Sequence, residues 1–354
     1  MWRISAILFS IIILFFNLVN GEQDVPCYFI FGDSLSDAGI NNGLITMAKA
    51  NYTPYGVDFP EKIPTGRFTN GRTAVDFISQ FLGFQRFITP YSSDSTQMDQ
   101  DILRGVNYAS GSAGILVETG SHLGDRVWMD RQLQYYGMTI SKLQSLIQGS
   151  VDKYLNKCLY TVNIGSNDYI NNYFMPEHYP TKTLFTPGQY AELLIGQYKS
   201  QLQTLYSSGA RKVAVFGLGK IGCVPAEMVM NNATECVEEI NQAVDLFNTK
   251  LVSLVDYFNA KFDGAKFTFI NVSAMQSLDR ILPGFITRST CCKLRSDFQC
   301  EPLTPPCTNR NLHAFMDGFH PTEVVNKLVA TMAFYTPFPL SLVHPMSISK
   351  LIRS

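Results

Sequence analysis

The chain has 354 residues, of which 46% are hydrophobic and 16% charged, and its net charge at pH 7 is −1. A chain of this size and composition can bury a sizeable core, which excludes general disorder. The near-neutral balance gives no reason to expect nucleic acid or an anionic membrane surface as a partner.

At the start, Arg3 precedes an apolar segment from Ile4 to Val19, and polar Gly21 to Asp24 follow. This is the layout of a secretory signal peptide and is short for a membrane span. Residues 1–21 are expected to be removed. What remains, 22–354, is expected to be a single, extracellular, monomeric domain with no transmembrane span. In an oxidising compartment the eight cysteines read as disulfides rather than metal ligands. Spacing suggests Cys223 with Cys236, and Cys291 or Cys292 with Cys300 or Cys307. Cys27 and Cys158 each open an apolar run that ends in a polar motif, and they meet if those runs are neighbouring parallel strands. Asn51, Asn232 and Asn271 stand in sequons and are expected acceptors of N-glycans.

The stretch Val25 to Gly39 opens as a buried strand and breaks at Gly32-Asp33-Ser34. Open α/β sheets bind ligands at the carboxyl edge of their strands, so Ser34 is placed as a nucleophile, with helix capping as the plainer reading. Thr65 to Arg72 forms a loop in which Arg67 and Arg72 are expected to make salt bridges, before a helix from Thr73 to Leu82. A brief strand from Gly105 runs into small residues at Gly111 to Gly114, and Met129 to Gln148 reads as a helix. The strand Cys158 to Ile164 stops at Gly165-Ser166-Asn167-Asp168, where Asp168 is expected to cap a helix. Then come a helix at 189–208, a strand at 212–218, a helix at 235–262, a strand at 266–272 and a helix to about Leu282. A Cys- and Pro-rich excursion (Cys291 to Pro306) and a last helix (Pro321 to Phe334) follow, and the tail after Pro337 shows no readable element. The alternation of strand and helix predicts an α/β fold with a parallel sheet covered on both faces.

A reactive serine needs a base, and the base needs a group that fixes its tautomer. Of five histidines, only His320 lies in a glycine-bounded turn just before a helix with an aspartate, Asp317, three residues upstream. Asn167 offers a side-chain amide to an oxyanion, and backbone N–H groups of Ser34 and of the Gly111 to Gly114 loop complete that set. The cysteines and histidines show no metal-ligand spacing, and no metal or organic cofactor is expected. Ser36 stands where the usual Gly-x-Ser-x-Gly elbow has its second glycine, which disfavours an ordinary α/β-hydrolase.

Phe31-Gly32-Asp33-Ser34-Leu35-Ser36-Asp37, the Gly111 to Gly114 loop, Gly165-Ser166-Asn167-Asp168 and Asp317-Gly318-Phe319-His320 resemble the four blocks of the SGNH hydrolases. With Gly66 to Arg72 and Gly217 to Pro225, the stretch from about Val25 to Tyr335 is similar to the secreted plant GDSL esterase/lipases. The resemblance implies a three-layer, flavodoxin-like fold with about five parallel strands. It also implies Ser34 as nucleophile, His320 as base, Asp317 as its orienter, and Gly114 (alternatively Gly111) with Asn167 as oxyanion donors. The expected reaction is hydrolysis of a small-molecule, lipid or polysaccharide ester through an acyl-Ser34 intermediate. An acyltransferase would use the same serine. A binding or defence protein that had lost catalysis would be expected to have lost one of these residues.

Overall fold

The structure, a computed structural model, describes residues 23–91, 101–275, 284–336 and 342–354. The expected signal peptide and the end of the helix expected to reach Leu282 lie outside the described residues. Four parallel strands, β1 (Tyr28–Gly32), β2 (Leu159–Asn163), β3 (Lys212–Phe216) and β4 (Lys266–Ile270), lie side by side in that order. The stretch expected as a strand from Gly105 is reduced to a parallel bridge between Asn107 and Ile30 on the free edge of β1. Gly105 makes that approach possible: its φ is +111°, and a Cβ there would lie 1.9 Å from the Tyr28 carbonyl oxygen. The fifth strand of the sheet, β7 (Val343–His344), pairs antiparallel with β4. It comes from the tail, which also forms the terminal helix α7 (Ile348–Arg353).

Side chains of successive strand residues alternate between two cores, as a pleated sheet requires. Phe29, Phe31, Tyr160, Val162, Val213, Val215, Phe267 and Phe269 face helices α2 (Met129–Leu146), α3 (Pro187–Ser207) and α5 (Glu238–Lys261). Tyr28, Ile30, Leu159, Ala214, Phe216 and Ile270 face α1 (Ala74–Phe81), α6 (Glu323–Tyr335) and α7. The short helix α4 (Pro225–Met230) and a two-stranded ribbon of β5 (Ile286–Thr290) and β6 (His313–Phe315) lie outside this sandwich. The three layers match the expected architecture, with one edge strand reversed.

Each suggested cysteine pair is joined. Cys27–Cys158 links the residues just before β1 and β2, and Cys223–Cys236, Cys291–Cys307 and Cys292–Cys300 close shorter loops. His313 lies beside Cys291 and Cys307, but both sulfurs are committed to their disulfide. The 65–72 loop is held as expected. Arg67 forms a buried pair with Asp76 through Nε–Oδ2 at 2.7 Å and Nη2–Oδ1 at 2.8 Å, and Arg72 pairs with Glu323 at 2.6 Å. Asp76 also closes a capping box with Thr73 at the start of α1.

Candidate active site

β1 ends at Gly32, where a Cβ would stand 2.5 Å from the Asn163 carbonyl oxygen of β2. The side-chain amide of Gln132 on α2 accepts from Gly32 N–H at 2.9 Å and donates to its carbonyl at 2.7 Å, fixing the end of the strand. Asp33 then accepts from Leu35 N–H at 2.9 Å, and Asp37 accepts from Gly39, Ile40 and Gly111. These local bonds turn the chain and leave Ser34 facing a cavity of about 310 Å³ at the carboxyl edge of the sheet.

Ser34 Oγ lies 2.8 Å from His320 Nε2. His320 Nδ1 lies 2.8 Å from Asp317 Oδ2 and 2.9 Å from Oδ1, while the N–H groups of Phe319 and His320 donate to Oδ1. Asp317 is fully buried and receives one more donor, the Tyr55 hydroxyl, at 2.5 Å from Oδ2. Burial alone would raise the Asp317 carboxyl, but His320 and these donors outweigh it and hold it below its ordinary value. Tyr55 in turn accepts from Cys300 N–H at 3.1 Å, so the disulfide-bonded excursion leans directly on the aspartate. No sequence signal singled out Tyr55 or Gln132.

Asn167 lines the cavity wall; one of its amide N–H groups donates to Ala113 O at 2.9 Å, and its Oδ1 accepts from Asn171. Asp168 does not cap its own helix as expected. Its carboxylate accepts from Ile115 N–H, Leu116 N–H and the Thr119 hydroxyl, and so ties down the 113–119 loop. Neither Gly111 nor Gly114 lines the cavity. Gly111 N–H is bonded to Asp37, and Gly114 is packed against Thr119 and Asp168, where a Cβ would meet atoms at 2.4–2.8 Å. Ser112, one of the two residues between them, does line the cavity, at φ +61°, and neither its N–H nor that of Gly114 has an acceptor among the described residues. Ser112 thus carries a side chain in a backbone region that glycine adopts more easily.

Four buried carboxyl groups hold protons more tightly than usual. Burial lifts Asp33 to about 7, Asp37 to about 6, Asp168 to about 6 and Glu227 to about 7. The folded state therefore binds more protons than the unfolded chain. The stability these groups contribute is full below about pH 4, where the unfolded carboxyls still hold their protons, and is lost as the pH rises through 6 to 7. Asp58, Asp76 and Asp317 act in the opposite sense. Burial pulls them upward, but Arg310, Arg67 and His320 hold them low, so their stabilisation is lost only in stronger acid. The melting temperature is expected to peak between about pH 4 and 6 and to fall toward pH 8, and Asp33→Asn is expected to flatten that fall. A melting temperature rising steadily from pH 5 to pH 8 would contradict this balance.

Among known proteins, residues 28–332 match the family described as GDSL-like lipase/acylhydrolase. Two GDSL esterase/lipases of Arabidopsis thaliana are 45% and 44% identical to the chain, the first over 95% of each chain and the second over 99% of each. GDSL esterase/lipase 7 of the same plant is 41% identical over 93% of this chain and 92% of its own. A phospholipase A1 from Streptomyces albidoflavus aligns over 87% of this chain and 97% of its own, with a TM-score of 0.35 and 15% identity. The family match over residues 28–332, with relatives this similar over nearly their full length, places the chain in the GDSL-like lipase/acylhydrolase family.

Proposed function

We propose that this carboxylic ester hydrolase works through an acyl-Ser34 intermediate with His320 as general base and Asp317 as its orienter. The observation that carries the reading is the unbroken relay of Ser34 Oγ, His320 and Asp317, with both contacts at 2.8 Å. His320 Nε2 takes the Ser34 proton as the oxygen attacks the ester carbonyl, and then delivers it to the leaving alcohol. It next draws a proton from the water that releases the acid. Charge on the tetrahedral oxygen is met by the N–H groups of Ser34 and Ser112 and by the second amide hydrogen of Asn167.

A fluorophosphonate probe tests this directly. Proteolysis of the treated protein is expected to place the adduct on the peptide containing Ser34, with p-nitrophenyl acetate competing for labelling. An unlabelled Ser34 in a protein that still hydrolyses the acetate would refute the assignment. Asn167→Ala is expected to lower kcat by about 10²–10³-fold.

The four disulfides support an oxidising, extracellular setting for a single domain beginning near residue 22. No helix among the described residues is long and apolar enough to cross a membrane. Asn51 and Asn232 are exposed and open to glycosylation, whereas Asn271 is half-buried and accepts from Ala274 N–H.

A further inference from the structure

Among the described residues, one disulfide has an imidazole against its sulfur. His313 Nδ1 lies 3.4 Å from Cys307 Sγ and 3.3 Å from the Asn309 carbonyl oxygen. A carbonyl can only accept, so Nδ1 carries the ring hydrogen and shares it between that oxygen and the sulfur. His313 and Cys291 are buried, whereas Cys307 is partly exposed on the excursion. Cys223–Cys236 is also partly exposed, but the donor at Cys223 Sγ is the Asn241 amide, at 3.5 Å. Cys27, Cys158, Cys292 and Cys300 are all buried. An imidazole, unlike an amide, can meet a thiolate as a cation, and such contacts favour the ionised sulfur.

We propose that Cys291–Cys307 is a thiol-exchange site, opened by dithiols, and that its opening lowers turnover. A thiolate of the dithiol attacks the accessible Cys307 Sγ. The S–S bond breaks, and its electron pair leaves on Cys291 Sγ, which takes up a proton. The second thiolate of the reagent attacks its own sulfur in the mixed disulfide and releases Cys307 as a thiolate beside His313. The protein gains two electrons and two protons, one on Cys291 and one shared by Cys307 and His313. The dithiol is oxidised to a cyclic disulfide. Because His313 stabilises the reduced form, this bond opens more easily than the other three.

Backbone contacts carry the effect to the active site. Cys307 N–H donates to the Cys291 carbonyl at 2.6 Å, and Cys291 N–H lies against the carbonyls of Phe315 and Met316 at 3.0 and 3.1 Å. Met316 directly precedes Asp317, and its own N–H donates to the His320 carbonyl at 2.8 Å. Releasing Cys307 therefore slackens the support under the turn that holds both residues. This coupling rests on Asp317 and His320 as the catalytic pair.

The test equilibrates the folded protein with graded ratios of reduced to oxidised dithiothreitol. Free thiols are blocked with iodoacetamide and mapped by peptide mass spectrometry. In the wild type, Cys291 and Cys307 are expected to be alkylated at ratios that leave the other cysteines protected. In His313→Gln, which keeps a neutral donor, the midpoint is expected to move about tenfold or more toward the reducing end. Opening of Cys223–Cys236 first, or an unchanged midpoint in His313→Gln, would overturn the site. The order of opening in the wild type decides the matter even if the variant does not fold. Turnover of p-nitrophenyl acetate is read on the same samples. It is expected to fall about tenfold or more as the bond opens, since a ~1 Å misplacement can cost about 10²-fold, and to return on reoxidation. Full activity with the bond open would overturn the coupling. The alkylation pattern does not depend on how Ser34 reacts, so a failure of that mechanism shows in the fluorophosphonate experiment instead.

Discussion

Asp317→Asn is expected to lower kcat by about 10⁴-fold while the protein still folds. The carboxylate accepts on every side: from His320 Nδ1–H, from two backbone N–H groups and from the Tyr55 hydroxyl. An amide has one acceptor and one donor end. Whichever way it turns, its NH₂ faces either donors already committed to it or the imidazole Nδ1. Facing Nδ1, it favours the tautomer that keeps the proton on Nε2, which then cannot accept the Ser34 proton. Tyr55→Phe is the graded companion. It removes one donor from a buried charge and is expected to cost about 10–100-fold in kcat. Steady-state kinetics together with thermal melts separate these effects from unfolding. An Asp317→Asn enzyme within tenfold of wild type would mean that the aspartate does not orient His320.

The second large effect concerns stability. Removing the Cys27–Cys158 bond, as in the double variant Cys27→Ser/Cys158→Ser, is expected to cost about 3–5 kcal/mol. The bond closes a separation of 131 residues, and the entropy it removes from the unfolded chain grows with that length. Both sulfurs are fully buried, so the serines would add unpaired hydroxyls to the core. Such a loss is a large share of the ~5–15 kcal/mol typical of a folded domain. Cys292–Cys300 separates only 8 residues, and its removal should cost less stability. Its effect should fall on rate instead, because Cys300 N–H supports Tyr55 against Asp317. Denaturant melts and kcat for both pairs test the contrast. A Cys27/Cys158 variant as stable as wild type would end the first half of it.

The parallel strands were readable because each is a short apolar run stopped by glycine or a polar motif, and those stops carry Ser34 and Asn167. Asp317 and His320 were readable because one turn holds both. β7 was not: two residues show no periodicity, and their pairing is decided by the exposed edge of β4 and the packing of α7. Asp168 looked like a helix cap because its partners, Ile115, Leu116 and Thr119, are about fifty residues away and no local pattern announces them. Ser112 could not be told apart from its neighbours in the Gly111 to Gly114 loop, because the left-handed backbone that turns it toward the cavity favours glycine and leaves no mark on a serine. Tyr55 reaches Asp317 across 262 residues of chain from a loop with no repeating pattern.

The contact between Ser34 and His320 spans 286 positions. On the proposed mechanism, a chain being synthesised carries its nucleophile from the outset and its base only near the end. Until the last loop has folded back onto the first strand, Ser34 is an ordinary alcohol. On that mechanism the growing polypeptide lacks its base, and hence its chemistry, until the segment carrying His320 has joined the sheet.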